Sequence, residues 1–390
     1  FFQKKTGAIG FYIDDDDQII VPTGGDGSIG WIKKYREYII PTATVASMKL
    51  LTNLVVGSVV QTASFYTGLD RGAATYDVVL TSGVTPNLYN IIISTTEPLL
   101  SFVLREPSPL TLTTWGIAGD GVTDDTLALQ DIINYARDAS LTIIWEELVI
   151  RTTATIYNQY DISYKETNWI VMGATLSPDF SGSEALNVQG KASYQNIDGR
   201  LNIIPSVGQR MTAGTYANRD TVSHGMVVES SRIKMGGKFF ISSMRGYGIY
   251  TKSDLGGNSN GAVYNAYIEA CNKGWVCLGT DDNLSVIIAD IETYGCAGAG
   301  FFGASGCILR NWDGRFQMEN NCIIDTGEAG WMADQATGCR LFIYSEQQNV
   351  SNEIEFNNLS TGNTVFSCRS NKDVYVAGNI VSGGNAVHSK

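Results

Sequence analysis

The chain has 390 residues, with 44% hydrophobic and 17% charged residues, which marks a packed globular protein rather than a disordered one. Its formal net charge of −12 argues against nucleic acid as a partner, because phosphate binding needs clustered Lys and Arg. No apolar run approaches the roughly 20 residues needed to span a bilayer, so membrane insertion is not expected either. The sequence starts at Phe1, without an initiator Met or a signal-peptide pattern, and reads as a fragment or a processed form.

Residues 1–45 are glycine-rich and carry the acidic run Asp14 to Asp17 and a basic patch at Lys33-Lys34. They read as an attachment or linker segment. The aspartates suit a calcium site or, more simply, a solvated loop. Residues 46–108 read as a small β-rich domain. Its short strands are expected at Leu54-Val55-Val56, Val59-Val60, Tyr76 to Val79 and Ile91 to Ile93, with turns at Gly57, Gly68 and Gly83. Pro107 and Pro109 mark its end.

One helix is expected next. Thr123 or Asp124 can cap it, and Leu129, Ile132, Ile133 and Ala136 follow at i, i+3, i+4, i+7 spacing. From about residue 140 the pattern is all β, and after Pro205 no proline interrupts it. A repeat runs through this part. Ile241-Ser-Ser-Met, Ile268-Glu-Ala-Cys, Ile291-Glu-Thr-Tyr, Met318-Glu-Asn-Asn and Ser345-Glu-Gln-Gln align at steps of 27, 23, 27 and 27 residues. Gly246-Tyr247, Gly274-Trp275, Gly300-Phe301 and Gly330-Trp331 follow most of them. Such steps predict the coils of a β-solenoid over residues 109–390, each coil burying its face on the next.

All seven cysteines lie between Cys271 and Cys368, with no CxxC pair, and read as buried thiols formed in a reducing cytoplasm rather than as a zinc site. Two histidines, His224 and His388, leave little material for a His-based triad or metal centre. No metal or organic cofactor is expected.

The alignment places Glu269, Glu292, Glu319 and Glu346 at one position of four successive coils, with Ser242 in the coil before. Each follows a residue expected to point inward, so the glutamates are expected to point outward. Stacked strands lie about 4.7–4.9 Å apart. Neighbouring and next-neighbouring carboxylates then approximate the roughly 5–5.5 Å of retaining and 6.5–9.5 Å of inverting glycosidases. Glu292, Glu319 and Glu346 are the candidate catalytic acids, with Asp313 in reserve. The alternative is a plain acidic stripe buttressed by Asn320, Asn321, Gln347 and Gln348. Trp275, Trp312 and Trp331 are candidate sugar-stacking faces and Arg315 a candidate substrate clamp, although core packing accounts for a tryptophan equally well. Asp281-Asp282 reads as a polar turn.

The run Gly119-Asp-Gly-Val-Thr-Asp-Asp-Thr126 with Leu129-Gln130 resembles the entry motif of pectate-lyase-like β-helix proteins. Upstream, Val59-Val60-Gln-Thr-Ala-Ser-Phe65-Tyr66-Thr-Gly68 and Gly72-Ala-Ala-Thr75-Tyr76 resemble the small domain that precedes this motif in phage tailspikes. The resemblance spans roughly residues 46–390. It implies a right-handed parallel β-helix, a homotrimer, and a virion-attached adhesin made in the host cytoplasm. Its N-terminal region would join a phage tail or baseplate protein. It also implies glycosidase or lyase activity on capsule or O-antigen, and a structural rather than catalytic role for Asp120, Asp124 and Asp125. Trp145-Glu-Glu-Leu148 departs from the family, which commonly has a proline-glycine turn there. Three functions follow. One is a tailspike glycoside hydrolase working through paired carboxylates. The second is a polysaccharide lyase with Arg310, Arg315 or Lys273 as base. The third is a non-catalytic adhesin or structural spike.

Overall fold

A computed structural model describes residues 39–105, 109–160, 167–190, 195–230, 233–252, 263–278, 284–285, 288–310, 312–324 and 328–347. It also describes the backbone strands 12–13, 19–23, 30–34, 352–356, 364–369, 373–376 and 386–389. The chain divides into two compact units, Phe1–Glu106 and Pro107–Lys390. The aspartate run at 14–17 and Asp281-Asp282 lie outside the described residues.

In the first unit, Ile39–Thr44, Val59–Ser64, Ala74–Leu80, Leu100–Leu104 and Ile91–Ile93 form one sheet in that spatial order. Tyr76, Val78 and Phe102 alternate inward and are fully buried. Leu54-Val55-Val56 is not a strand. The Glu97 carboxylate accepts the backbone N–H groups of Asn53 (2.7 Å) and Leu54 (3.2 Å), and a turn then closes from Ser58 N–H to the Val55 carbonyl. These side-chain bonds satisfy the backbone locally and leave Val55 and Val56 exposed.

The second unit opens with the aspartate motif. Asp125 is buried and accepts the N–H groups of Ala118 (2.8 Å) and Gly119 (2.9 Å), and burial pushes its pKa up to about 6. Asp120 ties down Val122 and Thr123, and Asp124 ties Thr126 to Thr153. All three acids are committed to backbone and threonine. The helix runs Thr126–Ala139 with Asp125 at its N-cap position, and Asp124, the last residue of the preceding strand Asp120–Asp124, accepts the Thr126 N–H at 3.0 Å, whereas Thr123 bonds to Asp120. Leu129, Ile132, Ile133 and Ala136 form its buried face. In place of a proline-glycine turn, Trp145 enters the core and Glu146 accepts the N–H groups of Leu112 and Thr113.

Beyond this entry the described strands form a 14-stranded and a 10-stranded sheet. Their ladders are parallel throughout the described residues, for example at Phe239↔Ala266 and Trp275↔Phe301. Successive strands of one sheet come from successive coils, which is the topology of a parallel β-solenoid. Ile241, Ile268, Thr293, Met318 and Ser345 stack in register, at steps of 27, 25, 25 and 27 residues. The expected step of 23 to Ile291 is therefore wrong by two residues, because Ile291 pairs with Ala266.

The interior is aromatic. Trp275, Phe301 and Trp331 are register partners; Phe301 stacks on Trp331 (5.3 Å, 18°) and Trp275 on Trp312 (5.3 Å, 24°). Full burial of each ring contributes roughly 2–3 kcal/mol. At the adjoining corner Cys271, Cys296 and Cys322 are buried, and the five described cysteines are all free thiols. Burial pushes Cys296 up to about 12. Among the described residues no helix is long and apolar enough to cross a membrane.

Candidate functional site

The site is built on five neighbouring strands of the larger sheet: Lys238–Ser242, Val263–Glu269, Ile288–Tyr294, Asp313–Glu319 and Arg340–Glu346. Alternate residues such as Ile291, Phe316 and Ile343 point inward, which directs the residues between them outward. The register sorts these outward side chains into rows. One row reads Ser242, Glu269, Tyr294, Glu319, Glu346. The next reads Phe240, Tyr267, Glu292, Gln317, Tyr344. A third holds Asp290, Arg315 and Phe342, and a fourth Ile288, Asp313 and Arg340.

The four glutamates thus face outward as expected but do not form one ladder. Tyr294 takes the place expected for Glu292, and Glu292 stands in the next row. Glu319 and Glu346 are direct neighbours at the strand spacing of about 4.8 Å. Glu292 lies diagonal to both Glu269 and Glu319, roughly 7–8 Å away.

Each acid has a defined partner. Lys238 Nζ donates to Glu292 Oε2 (3.1 Å), Gln317 Nε2 to Glu319 Oε1 (3.0 Å), Tyr344 OH to Glu346 Oε2 (2.8 Å) and Ser242 Oγ to Glu269 Oε1 (3.0 Å). Tyr267 sits between Glu269 and Glu292. Burial, then these two carboxylates, push its hydroxyl up to about 12, so it remains a neutral donor. The expected buttress is different: Asn321 is buried and donates to Thr293, and Gln347 is buried and donates to the Met318 carbonyl.

Asp313 is not brought to these acids. It pairs with Arg340, and it lies four residues along its strand from Gln317, the partner of Glu292, or roughly 13 Å at about 3.3 Å per residue. Arg315 is exposed on the face, two residues from Gln317. Lys273 lies on the other sheet, paired with Glu328 and set 3.8 Å from the Phe302 ring centroid. Arg310 belongs to the strand Phe301–Arg310, and its side chain lies outside the described residues.

The three tryptophans offered as sugar platforms are core residues. Trp275 and Trp331 are 0% exposed and Trp312 is 1% exposed, and the Trp275 indole N–H donates to Thr251 Oγ1 at 2.8 Å. They occupy inward positions, Trp275 stacked on Trp312 and Trp331 on Phe301, so no face is left for a pyranose. The rings that do face outward are Phe240, Tyr267, Tyr344, Tyr294 (46% exposed) and Phe342 (47% exposed). They share strand parity with the glutamates, as at Tyr267/Glu269 and Tyr344/Glu346, and that spacing of two was the signal available for them. The result is an open sheet face on which carboxylates alternate with aromatic rings, an arrangement able to stack sugar rings and supply acid and base.

No protein-family model matches the sequence, and no curated protein matches it by sequence. Solved structures do match the fold. The enzymatically active domain of bacteriophage CBA120 tailspike protein 2 aligns with 84% of this chain and 48% of its own, at TM-score 0.52 and 12% identity. Pantoea stewartii WceF, described as a glycan biofilm modifying enzyme with a tailspike-like parallel β-helix fold, aligns over 95% of this chain and 52% of its own, at TM-score 0.50 and 10% identity. The chain spans about half the length of each. At these identities the likeness is one of fold, and the chain is an all-β parallel β-helix of the right-handed, tailspike-like type.

Proposed function

We propose that this chain is a phage tailspike that binds and degrades a bacterial surface polysaccharide, capsule or O-antigen, by glycoside hydrolysis. The observation that carries this reading is the outward pair Glu292 and Glu319, set diagonally among exposed rings. With roughly 7–8 Å between their backbone positions, the two side chains can reach the roughly 6.5–9.5 Å between carboxyls used by inverting glycosidases. The shared fold with an enzymatically active tailspike domain and a glycan-modifying enzyme supports it.

In this reading Glu319 gives its proton to the glycosidic oxygen, while its contact with Gln317 fixes the carboxyl plane. Glu292, beside the counter-charge of Lys238, takes a proton from the attacking water on the opposite side. Arg315 and the rings of Tyr294 and Phe342 hold the chain in place. Glu346 stands next to Glu319 at a spacing close to that of retaining enzymes, so the anomeric configuration of the first product separates the two pairings. The protein works as a homotrimer on the virion, joined to the phage tail or baseplate through its N-terminal region. The reaction needs neither metal nor organic cofactor.

The test is Glu→Gln at positions 292, 319 and 346 separately, with reducing-end release measured beside glycan binding on a polysaccharide found by screening lawns of many capsule types. General acid–base catalysis contributes typically 10²–10⁴-fold. E292Q and E319Q are therefore expected to lose nearly all turnover and keep binding. Full activity in all three variants would return Asp313 or an inter-subunit site to the front. A product that absorbs in the near ultraviolet would identify a lyase instead. Binding without release of reducing ends from any glycan would identify a non-catalytic adhesin.

A further inference from the structure

Cations on the outward face of the larger sheet are mostly matched by acids. Arg315 stands opposite Asp290, and Arg340 is paired with Asp313. Among the described residues, one register pair instead sets two cations side by side. Arg200 and Lys238 are direct register partners on neighbouring parallel strands, and both are exposed. Like charges placed opposite each other destabilise a sheet, so the fold gains nothing from this pairing. Lys238 is offset by Glu292, but Arg200 bonds only to the Asn202 side chain (2.9 Å), and no carboxylate pairs with it among the described residues.

Both cations are also held in place. Arg200 lies over the Phe240 ring at 5.6 Å and Lys238 over the Tyr267 ring at 5.5 Å. The two rings stack 5.6 Å apart and only 4° from parallel. Cation–π contact of this kind fixes a long side chain at little cost in hydration. The result is two positive groups held against a stacked aromatic pair, whose rings belong to the row that contains Glu292. Lys238 comes from two strands away, and its ammonium reaches the Glu292 carboxylate at 3.1 Å.

We infer that the Arg200–Lys238 platform is a subsite for an acidic sugar, and that the polysaccharide bound on this face carries carboxylates, as a hexuronate does. The inference rests on the glycan-binding reading above and adds its substrate class. The guanidinium and ammonium groups take its carboxylate, and the Phe240 and Tyr267 rings, whose faces meet each other and the two cations, hold those cations in place. An Arg–carboxylate contact is charge-assisted and planar, so it selects a carboxylate over a hydroxymethyl group at the same position.

The test is saturation-transfer NMR of the intact protein with glucuronate and galacturonate at millimolar concentration, against glucose and galactose. Transfer is expected to at least one acidic sugar and not to its neutral counterpart. R200Q and K238Q, both surface changes whose folding is checked by thermal melt, should each weaken it by about tenfold or more. E319Q should leave it intact. Equal transfer to acidic and neutral sugars, transfer to neither acid, or transfer unaffected in both variants overturns the inference. The two readings fail separately: selective binding that depends on Arg200 without hydrolysis would remove only the catalytic reading. Hydrolysis of a neutral glycan without acid-selective binding would remove only this one.

Discussion

At the scale of single residues, His224 shows how burial sets chemistry in this protein. Its ring is buried, stacks on Tyr247 at 4.6 Å, and accepts the Tyr247 backbone N–H at Nδ1 (3.0 Å). Burial, then Lys252, lowers its pKa to about 4 from 6.5. The unfolded chain therefore takes up the proton first, and the contribution of His224 to stability falls as pH drops from about 6.5 to about 4. The loss is at most about 3 kcal/mol. Asp125, raised to about 6, acts in the opposite sense over much of this window, so the slope of the whole protein does not isolate His224. His224→Asn does, because the amide oxygen keeps an acceptor for Tyr247 and does not titrate. Urea midpoints should show wild type ahead at pH 7 and the gap closing by pH 4.5. A gap independent of pH would contradict the assignment.

At the scale of strands and turns, the close approach of coils depends on glycine. A Cβ on Gly274 would lie 2.2 Å from the Gly300 carbonyl oxygen and 2.7 Å from Thr293 Cγ2. Gly274→Ala must push one coil from the next, at a cost of about 1–3 kcal/mol. Gly83→Ala, in open space, should change stability by less than about 0.5 kcal/mol. Equal effects in a denaturant titration would show that the corner is not tightly packed. The recurring glycine-aromatic pairs made these coils legible in the sequence, and the apolar spacing made the helix at Thr126–Ala139 legible. Register was not legible. Ile268-Glu269 and Ile291-Glu292 look alike, yet they are offset by two residues, and a shift of two leaves every inward side chain inward. Hydrophobic pattern alone cannot detect such an offset. The tryptophans failed for a related reason. Residue type suits Trp312 and Trp331 equally to a core or a sugar platform, and only strand parity decides. The outward rings Tyr294 and Phe342 were passed over because they carry less of a signal by type.

At the scale of the molecule, the described cysteines are thiols shut away from solvent. Cys271, Cys277, Cys296, Cys322 and Cys339 are buried free thiols, and burial raises the pKa of Cys271 and Cys296, which leaves little thiolate to react. Alkylation followed by mass spectrometry should label these five slowly in the native protein and promptly after denaturation. Several disulfides in the unreduced protein would contradict the structure.

The two-residue offset between the coils of Glu269 and Glu292 separates two inheritances within one strand. The inward half of each strand must match its neighbours in volume, whereas the outward half is under no such constraint. Lengthening or shortening a corner by two residues re-pairs every outward side chain with a new neighbour while the core keeps its composition. Acids, rings and cations on the surface can in this way be dealt into new combinations without a single substitution, so small insertions at the corners are a route by which a β-helix changes what it recognises while its interior stays the same.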